Sequence, residues 1–281
     1  MFVQMIVGAS SHICLWEGGN AAGLAGVSVR QVQEDEVDAT MPADLVRDCF
    51  VRDDDDHTPK TELVCLENTH NMLGGVVLPP SYMDAMSRLV HEEGIRLHMD
   101  GARIFNAIAA TDNNTSPSDM CRGIDSVSIC LSKGLGAPLG SVLVGETETI
   151  RLAKRARKRC GGGMRQAGIV AAMGLYAVQN NAARLVEDGV RAQRLGKTLV
   201  ENGFVLPREG RVDTNIVFFE LPSTCTIPKE EFTQRLQQEH GVLITGGYSR
   251  GGKLFRVCTH MDVNDEDVDR ATEAIVQLGL S

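Results

Sequence analysis

Short apolar runs alternate along the chain with longer stretches in which apolar residues return every third or fourth position. Residues 1–8 read as a buried strand. So do residues 62–66, where Leu63, Val64, Cys65 and Leu66 are contiguous. Met83, Met86, Leu89 and Val90 have helical spacing within 82–93, and Gly94 ends that helix. Strand-like runs follow at 95–100, 125–131 and 141–145. Residues 149–188 read as helix, broken at Gly161-Gly162-Gly163. Strands separated by helices predict a mostly parallel sheet covered on both faces.

Beyond residue 185 the rhythm changes. A helix is predicted at 190–202, strands at 204–206 and 215–221, and a helix at 229–240 with Phe232, Leu236 and His240 on one face. Strands at 242–245 and 253–258 precede a last helix at 265–278 that buries Val268, Ile275 and Leu278. The expected organisation is an α/β large domain over 1–184 and a small α+β domain over 185–281.

Composition narrows the partners. The 281 residues are 43% hydrophobic and 23% charged, ordinary for a globular chain. A net charge of −9 argues against general nucleic-acid binding. Six of the nine residues from Arg151 to Arg159 are Lys or Arg, which reads as a solvated helix face. The acidic run Asp53 to Asp56, followed by His57, reads as a solvated loop in preference to a metal site. The eight cysteines are scattered without a C-x-x-C pair, so no structural zinc site is expected, and a reducing, cytoplasmic compartment is favoured. No apolar run has the length of a membrane span, and residues 1–8 lack the form of a secretory signal.

Two segments carry chemistry. In His98-Met99-Asp100-Gly101-Ala102-Arg103 a carboxylate ends a strand. It could cap the next helix, or it could face a pyridinium nitrogen and keep it protonated. In Ser132-Lys133-Gly134-Leu135-Gly136-Ala137-Pro138-Leu139-Gly140 a lysine stands directly before a Gly-rich turn. A phosphate-binding P-loop needs its lysine after the glycines, so that reading is disfavoured. A Schiff-base lysine fits better, its amine made accessible by desolvation or neighbouring positive charge, with the glycines allowing close approach of a ligand. In a parallel sheet, ligands bind beyond the C-terminal ends of strands, and Asp100 and Lys133 both lie at such ends. Together they point to pyridoxal 5'-phosphate (PLP), with Lys133 as the Schiff-base residue and Asp100 at the ring nitrogen.

The sequence resembles the threonine aldolase family, PLP enzymes of the aspartate aminotransferase fold (fold type I). The resemblance rests on those two segments and on three more in family order: Ser11-His12-Ile13-Cys14-Leu15-Trp16-Glu17-Gly18-Gly19, Glu67-Asn68-Thr69-His70-Asn71, and Gly161-Gly162-Gly163-Met164-Arg165-Gln166. It runs the length of the chain. It implies that His12 stacks on the cofactor ring and that His70 contacts the substrate hydroxyl as general base. It makes Arg103 and Arg256 the substrate-carboxylate residues, since a guanidinium fork matches a carboxylate at two points. Arg103 also belongs with the cofactor-binding residues. By family analogy Arg165 acts near the cofactor phosphate of a neighbouring subunit, in a homo-oligomer (dimer or tetramer) with shared sites. Family members carry a further N-terminal stretch with a phosphate-cradling loop, so this chain is expected to begin inside the large domain.

The reaction implied is cleavage of L-threonine or L-allo-threonine to glycine and acetaldehyde. Two other readings stay open: a β-eliminating or transaminating fold type I enzyme, and a shortened, inactive or partner-dependent isoform.

Overall fold

The first strand is not at the margin of its sheet. In a computed structural model, which describes residues 3–53, 55–111, 114–248 and 252–281, β1 (Val3–Gly8) lies between two parallel neighbours. Met1 and Phe2 of the predicted strand, and Asp54 of the acidic run, lie outside the described residues. Two short helices follow, α1 (His12–Leu15) and α2 (Asn20–Gly23), then β2 (Val27–Val32) and α3 (Ala43–Asp48). Next come β3 (Lys60–Glu67), α4 (Pro80–Glu92), β4 (Arg96–Asp100), α5 (Ile104–Ala109), α6 (Pro117–Met120), β5 (Ser126–Cys130) and β6 (Ser141–Gly145). The sheet order is β2-β1-β3-β4-β5-β6, parallel except for the pairing of β6 with β5.

The predicted face of α4 is the buried one: Met83, Met86, Leu89 and Val90 are each at most 7% exposed. They pack on Ile6, Val64, Leu66, Leu97 and Met99 of the sheet. Each such side chain contributes roughly 2 kcal/mol of burial free energy. Sequence patterning missed β2 because it is an edge strand that keeps Ser28, Arg30 and Gln31 exposed, which dilutes its apolar signal.

The long helical region comprises α7 (Thr147–Arg159), α8 (Gly168–Asn181) and α9 (Leu185–Glu201). No residue of α7 is buried, as expected of a solvated basic face. The second break falls at 182–184 rather than next to Gly189, which lies inside α9. Buried Leu185, Asp188, Ala192, Leu195 and Leu199 recur every three or four residues, and that continuous seam outweighs the roughly 1 kcal/mol that a mid-helix glycine costs. The seam joins two cores. Leu185 packs with Leu131 and Leu135, and Ala192, Leu195 and Leu199 pack in the second core.

That second core lies between α9 and a three-stranded antiparallel sheet. β7 (Ile216–Phe219), α10 (Lys229–His240), β8 (Thr245–Tyr248), β9 (Leu254–Cys258) and α11 (Asp265–Gly279) complete it, in sheet order β7-β9-β8. Phe219 stacks on Phe255 at 5.3 Å between ring centres, and Phe232 packs against Phe255 from α10. Val268, Ile275 and Leu278 of α11 are buried as predicted. Three expectations need correction. The strand at 204–206 is a single bridge between Val205 and Glu220. The strand predicted at 242–245 begins only at Thr245. Gly241, at φ 68°, ends α10, and the N–H of Val242 still donates to the carbonyl of Leu236. For the same reason His240, in the last turn, is half-buried instead of sharing the buried face of Phe232 and Leu236.

Candidate active site

The parallel strands end at one level. Glu67 is in register with Asp100, and Asp100 with Ser128. The segments just past these ends carry His12, His70, Arg103 and Lys133, so residues far apart in sequence meet at one crevice.

Glu67 organises one side of it. One carboxylate oxygen accepts the backbone N–H of His12 at 2.6 Å, and the other that of Asn71 at 2.8 Å. The last residue of β3 thus fixes the start of α1 and the turn after its own strand. The ring of His12 is partly exposed, with Nε2 3.2 Å from the Glu17 carboxylate.

Asp100 is 8% exposed, and its Oδ1 accepts from the N–H of Ala102 at 3.1 Å. This bond closes a local turn and does not cap the next helix, because α5 has Arg103 as its N-cap and, among the described residues, no side chain accepts from its first turn. The Asp100 carboxylate is otherwise turned to its buried neighbours. Together with burial, its charge pushes the neighbouring Cys65 thiol up to about 12, which leaves that thiol inert. Lys133 shares this environment. Burial and the Arg103 guanidinium lower its basicity, outweighing the opposing influence of Cys130, Asp100 and Glu67. An amine held below its ordinary value beside a strand-end carboxylate is the donor set that PLP requires, so these residues fit that cofactor.

The glycines after Lys133 are explained by the chain's own packing. A Cβ at Gly134 would meet Leu185 and Asn106. One at Gly136, where φ is +74°, would overlap the Met261 sulfur.

Arg103 and Arg256 converge on one atom. Arg103, the N-cap of α5, and Arg256, on β9 of the small sheet, donate to the Asn71 Oδ1 at 3.0 and 3.2 Å. Arg256 also lies over the Tyr248 ring, 4.5 Å from its centre. Arg165 stays apart. It is exposed in the connection between α7 and α8, and among the described residues no site residue pairs with it.

His70 is 2% exposed. Its Nε2 lies 3.1 Å from the Oε1 of Glu34, and its Nδ1 is buried without a partner among the described residues. Burial pushes the imidazole down. The Glu34 hydrogen bond and the charges of Glu67, Glu34 and Asp100 outweigh it, and the net direction is up. Glu34, Glu67 and Asn71 were not singled out from the sequence. Glu67 and Asn71 flank His70 in a motif that could have exposed them. Glu34 sits in the polar stretch Gln33-Glu34-Asp35-Glu36, where no periodicity distinguishes a buried acid from solvated ones.

The family model described as beta-eliminating lyase matches residues 2–222. The low specificity L-threonine aldolase of Escherichia coli (strain K12) is 39% identical over 265 residues, covering 94% of this chain and 74% of that protein. Low-specificity L-threonine aldolase 1 of Arabidopsis thaliana is 35% identical over 267 residues, covering 94% of this chain and 72% of that protein. Among solved structures, the threonine aldolase of Leishmania major superposes with a TM-score of 0.81 at 20% identity, covering 99% of this chain and 78% of that one. A PLP-dependent aminotransferase from Streptococcus suis gives a TM-score of 0.67 at 17% identity, covering 98% of this chain and 70% of that one. The two structures establish the fold, fold type I, and the sequence matches go further: this chain belongs to the beta-eliminating lyase family, among relatives of the low-specificity L-threonine aldolases.

Proposed function

We propose that this chain is a PLP-dependent lyase that cleaves the Cα–Cβ bond of L-threonine and L-allo-threonine, giving glycine and acetaldehyde. The observation that carries this reading is the meeting of Lys133, Asp100, His70 and the Arg103–Arg256 pair at the ends of β3, β4 and β5. Lys133 would hold the cofactor through its ε-amine, Asp100 its ring nitrogen and His12 its ring face. When bound, PLP supplies the sink for the electron pair of the breaking bond.

The chain's own residues bind and orient the amino acid. Two guanidiniums already within hydrogen-bond reach of one oxygen can take a carboxylate in two-point fashion. A fixed carboxylate sets the rotation about Cα, and so which bond is aligned to break. His70, with a free buried Nδ1, takes the hydroxyl proton as the C–O bond becomes the aldehyde carbonyl.

We also propose a homo-oligomer in which Arg165 serves a neighbouring subunit, its exposure being consistent with that use. The eight cysteines are free, in keeping with a reducing compartment such as the cytoplasm, and no described helix is long and apolar enough to cross a membrane.

The test is incubation of PLP-supplemented protein with each substrate. Glycine and acetaldehyde are expected in equal amounts. Release of 2-oxobutanoate and ammonia would instead mark an eliminating enzyme, and no product from either substrate would overturn the reading.

A further inference from the structure

Glu34 is a buried carboxylate, 4% exposed, in the loop after the edge strand β2. Its two oxygens accept the N–H of Ser10 at 3.1 and 3.2 Å, and Oε1 also meets His70 Nε2 at 3.1 Å. The backbone of His70 is tied down as well. Its N–H donates to the Val76 carbonyl at 2.9 Å, and its carbonyl accepts the N–H of Gly75 at 2.8 Å. Space for the pair is reserved at Gly8. A Cβ there would overlap the Glu34 carboxylate, and Gly8 does not have a positive φ, so it is the missing side chain that matters at this position. A carboxylate withdrawn from water needs a charged or hydrogen-bonding partner, and His70 is the titratable one within reach.

We propose that Glu34 is a positioning residue for the cleavage: by accepting Nε2–H of His70 it commits Nδ1 to the substrate's β-hydroxyl. This rests on the reading of His70 as the base. The hydroxyl proton passes to Nδ1, the oxygen's electron pair forms the carbonyl of the departing aldehyde, and the Cα–Cβ pair stays with the amino-acid fragment. That fragment then takes up one proton to become glycine. Glu34 holds the imidazolium while it exists, as a carboxylate behind a histidine does in hydrolytic triads. The charged groups facing His70 are Glu34 beyond β2, Glu67 at the end of β3 and Asp100 at the end of β4. Cys14 of α1 and Tyr82 of α4 face Glu34 from behind.

The experiment follows kcat/KM of the PLP-loaded enzyme against pH, beside the imidazole nitrogen resonances of His70 in the same protein. The resonances report its tautomer and titration without turnover. In Glu34→Gln the acidic limb should move down by about one pH unit. Its kcat should fall by about a hundredfold while KM for threonine stays within about twofold. Glu34→Asp, which restores the charge, should bring the limb and the resonances back towards wild type. An unmoved limb and unmoved His70 resonances in Glu34→Gln would overturn the assignment and leave Glu34 as a brace for the Ser10 loop. If Glu34→Gln does not fold, Glu34→Asp and Gly8→Ala decide: a wild-type His70 titration in Gly8→Ala, where the carboxylate must shift, overturns it equally. His70→Asn separates the two levels. Should it keep a wild-type limb and kcat, the reading of His70 itself falls. Should it lose the limb while Glu34→Gln keeps it, only the role of Glu34 falls.

Discussion

The strand ends of β1, β3 and β4 and the outer side of β6 belong to one sheet, but they treat polar and apolar groups in opposite ways. At the strand ends, Glu34, Glu67, His70, Asn71 and Asp100 are all at most 9% exposed and all hydrogen-bonded. On the other side Val142, Leu143 and Val144 of β6 are 40–50% exposed, and Ile169, Leu175 and Tyr176 of α8 more so. Of the fourteen residues of α8 only Gly174 and Ala177 are buried. The inner wall of the site is therefore fixed by this chain's own hydrogen bonds. The outer side leaves an apolar surface of the kind that other protein covers.

The largest effect tests whether the crevice depends on its one low-basicity amine. Lys133→Ala should lower aldehyde release by about a thousandfold or more and abolish the visible absorbance of bound cofactor. Wild-type absorbance in that variant would remove Lys133 from its role. Next comes the inner wall. Glu67→Gln points an NH2 group at one of two N–H donors that the carboxylate now serves, those of His12 and Asn71. A loss of about 2–3 kcal/mol in urea unfolding is expected, since hydrogen bonds to charged groups are worth about 1.5–3 kcal/mol each. An unchanged midpoint would mean that the strand-end network is not what braces this region.

How much of this was legible in the sequence follows from the same contrast. The central strands and α4 announce themselves because their apolar positions are contiguous or recur every three to four residues. Asp100 and Lys133 stand out because each lies at or just past the end of such a strand. His12, His70, Arg103 and Arg256 came only with the family resemblance, since a lone histidine or arginine has no periodic signature. Glu34 stayed invisible because its burial depends on Gly8 and Ser10, more than twenty residues away at the end of β1 and in the turn after it. The edge strand β2 and the shifted start of β8 escaped for a related reason. Their positions are set by pairing and by the turn after α10, not by their own composition.

A smaller effect reads the inner wall through pH. The folded pKa of His70 is raised above 6.5, so its share of stability is complete below that value and is lost as pH rises through the folded pKa. In Glu34 burial pushes upward, but the His70 and Ser10 hydrogen bonds outweigh it. Its folded pKa lies below 4.5, and its share is complete above 4.5 and lost as pH falls through the folded value. The stability gap between wild type and Glu34→Gln should therefore be widest between pH 4.5 and 6.5, on the order of 2 kcal/mol, and narrow on both sides. A gap that does not vary with pH would show that the two groups are not ionised as a pair.

The smallest effect on the isolated chain belongs to the apolar side, and it separates the two regions most cleanly. Tyr176 is 64% exposed on α8, so within one chain Tyr176→Ser removes almost no buried surface and should change stability by less than about 0.5 kcal/mol. If a second copy covers α8, the same change removes an aromatic ring from every interface and leaves a gap beside a short polar side chain. Light scattering at a series of protein concentrations should then show the mass of Tyr176→Ser falling to smaller species at concentrations where the wild type stays assembled. Its circular dichroism should remain that of the folded chain. An identical mass at every concentration would mean that α8 faces water through Tyr176, and the contrast between the two sides would then be one of composition without assembly. A fall in mass joins them, because α8 rests through Gly174 on Leu131, two residues before Lys133. Whatever covers the outer side then also steadies the turn that carries the amine.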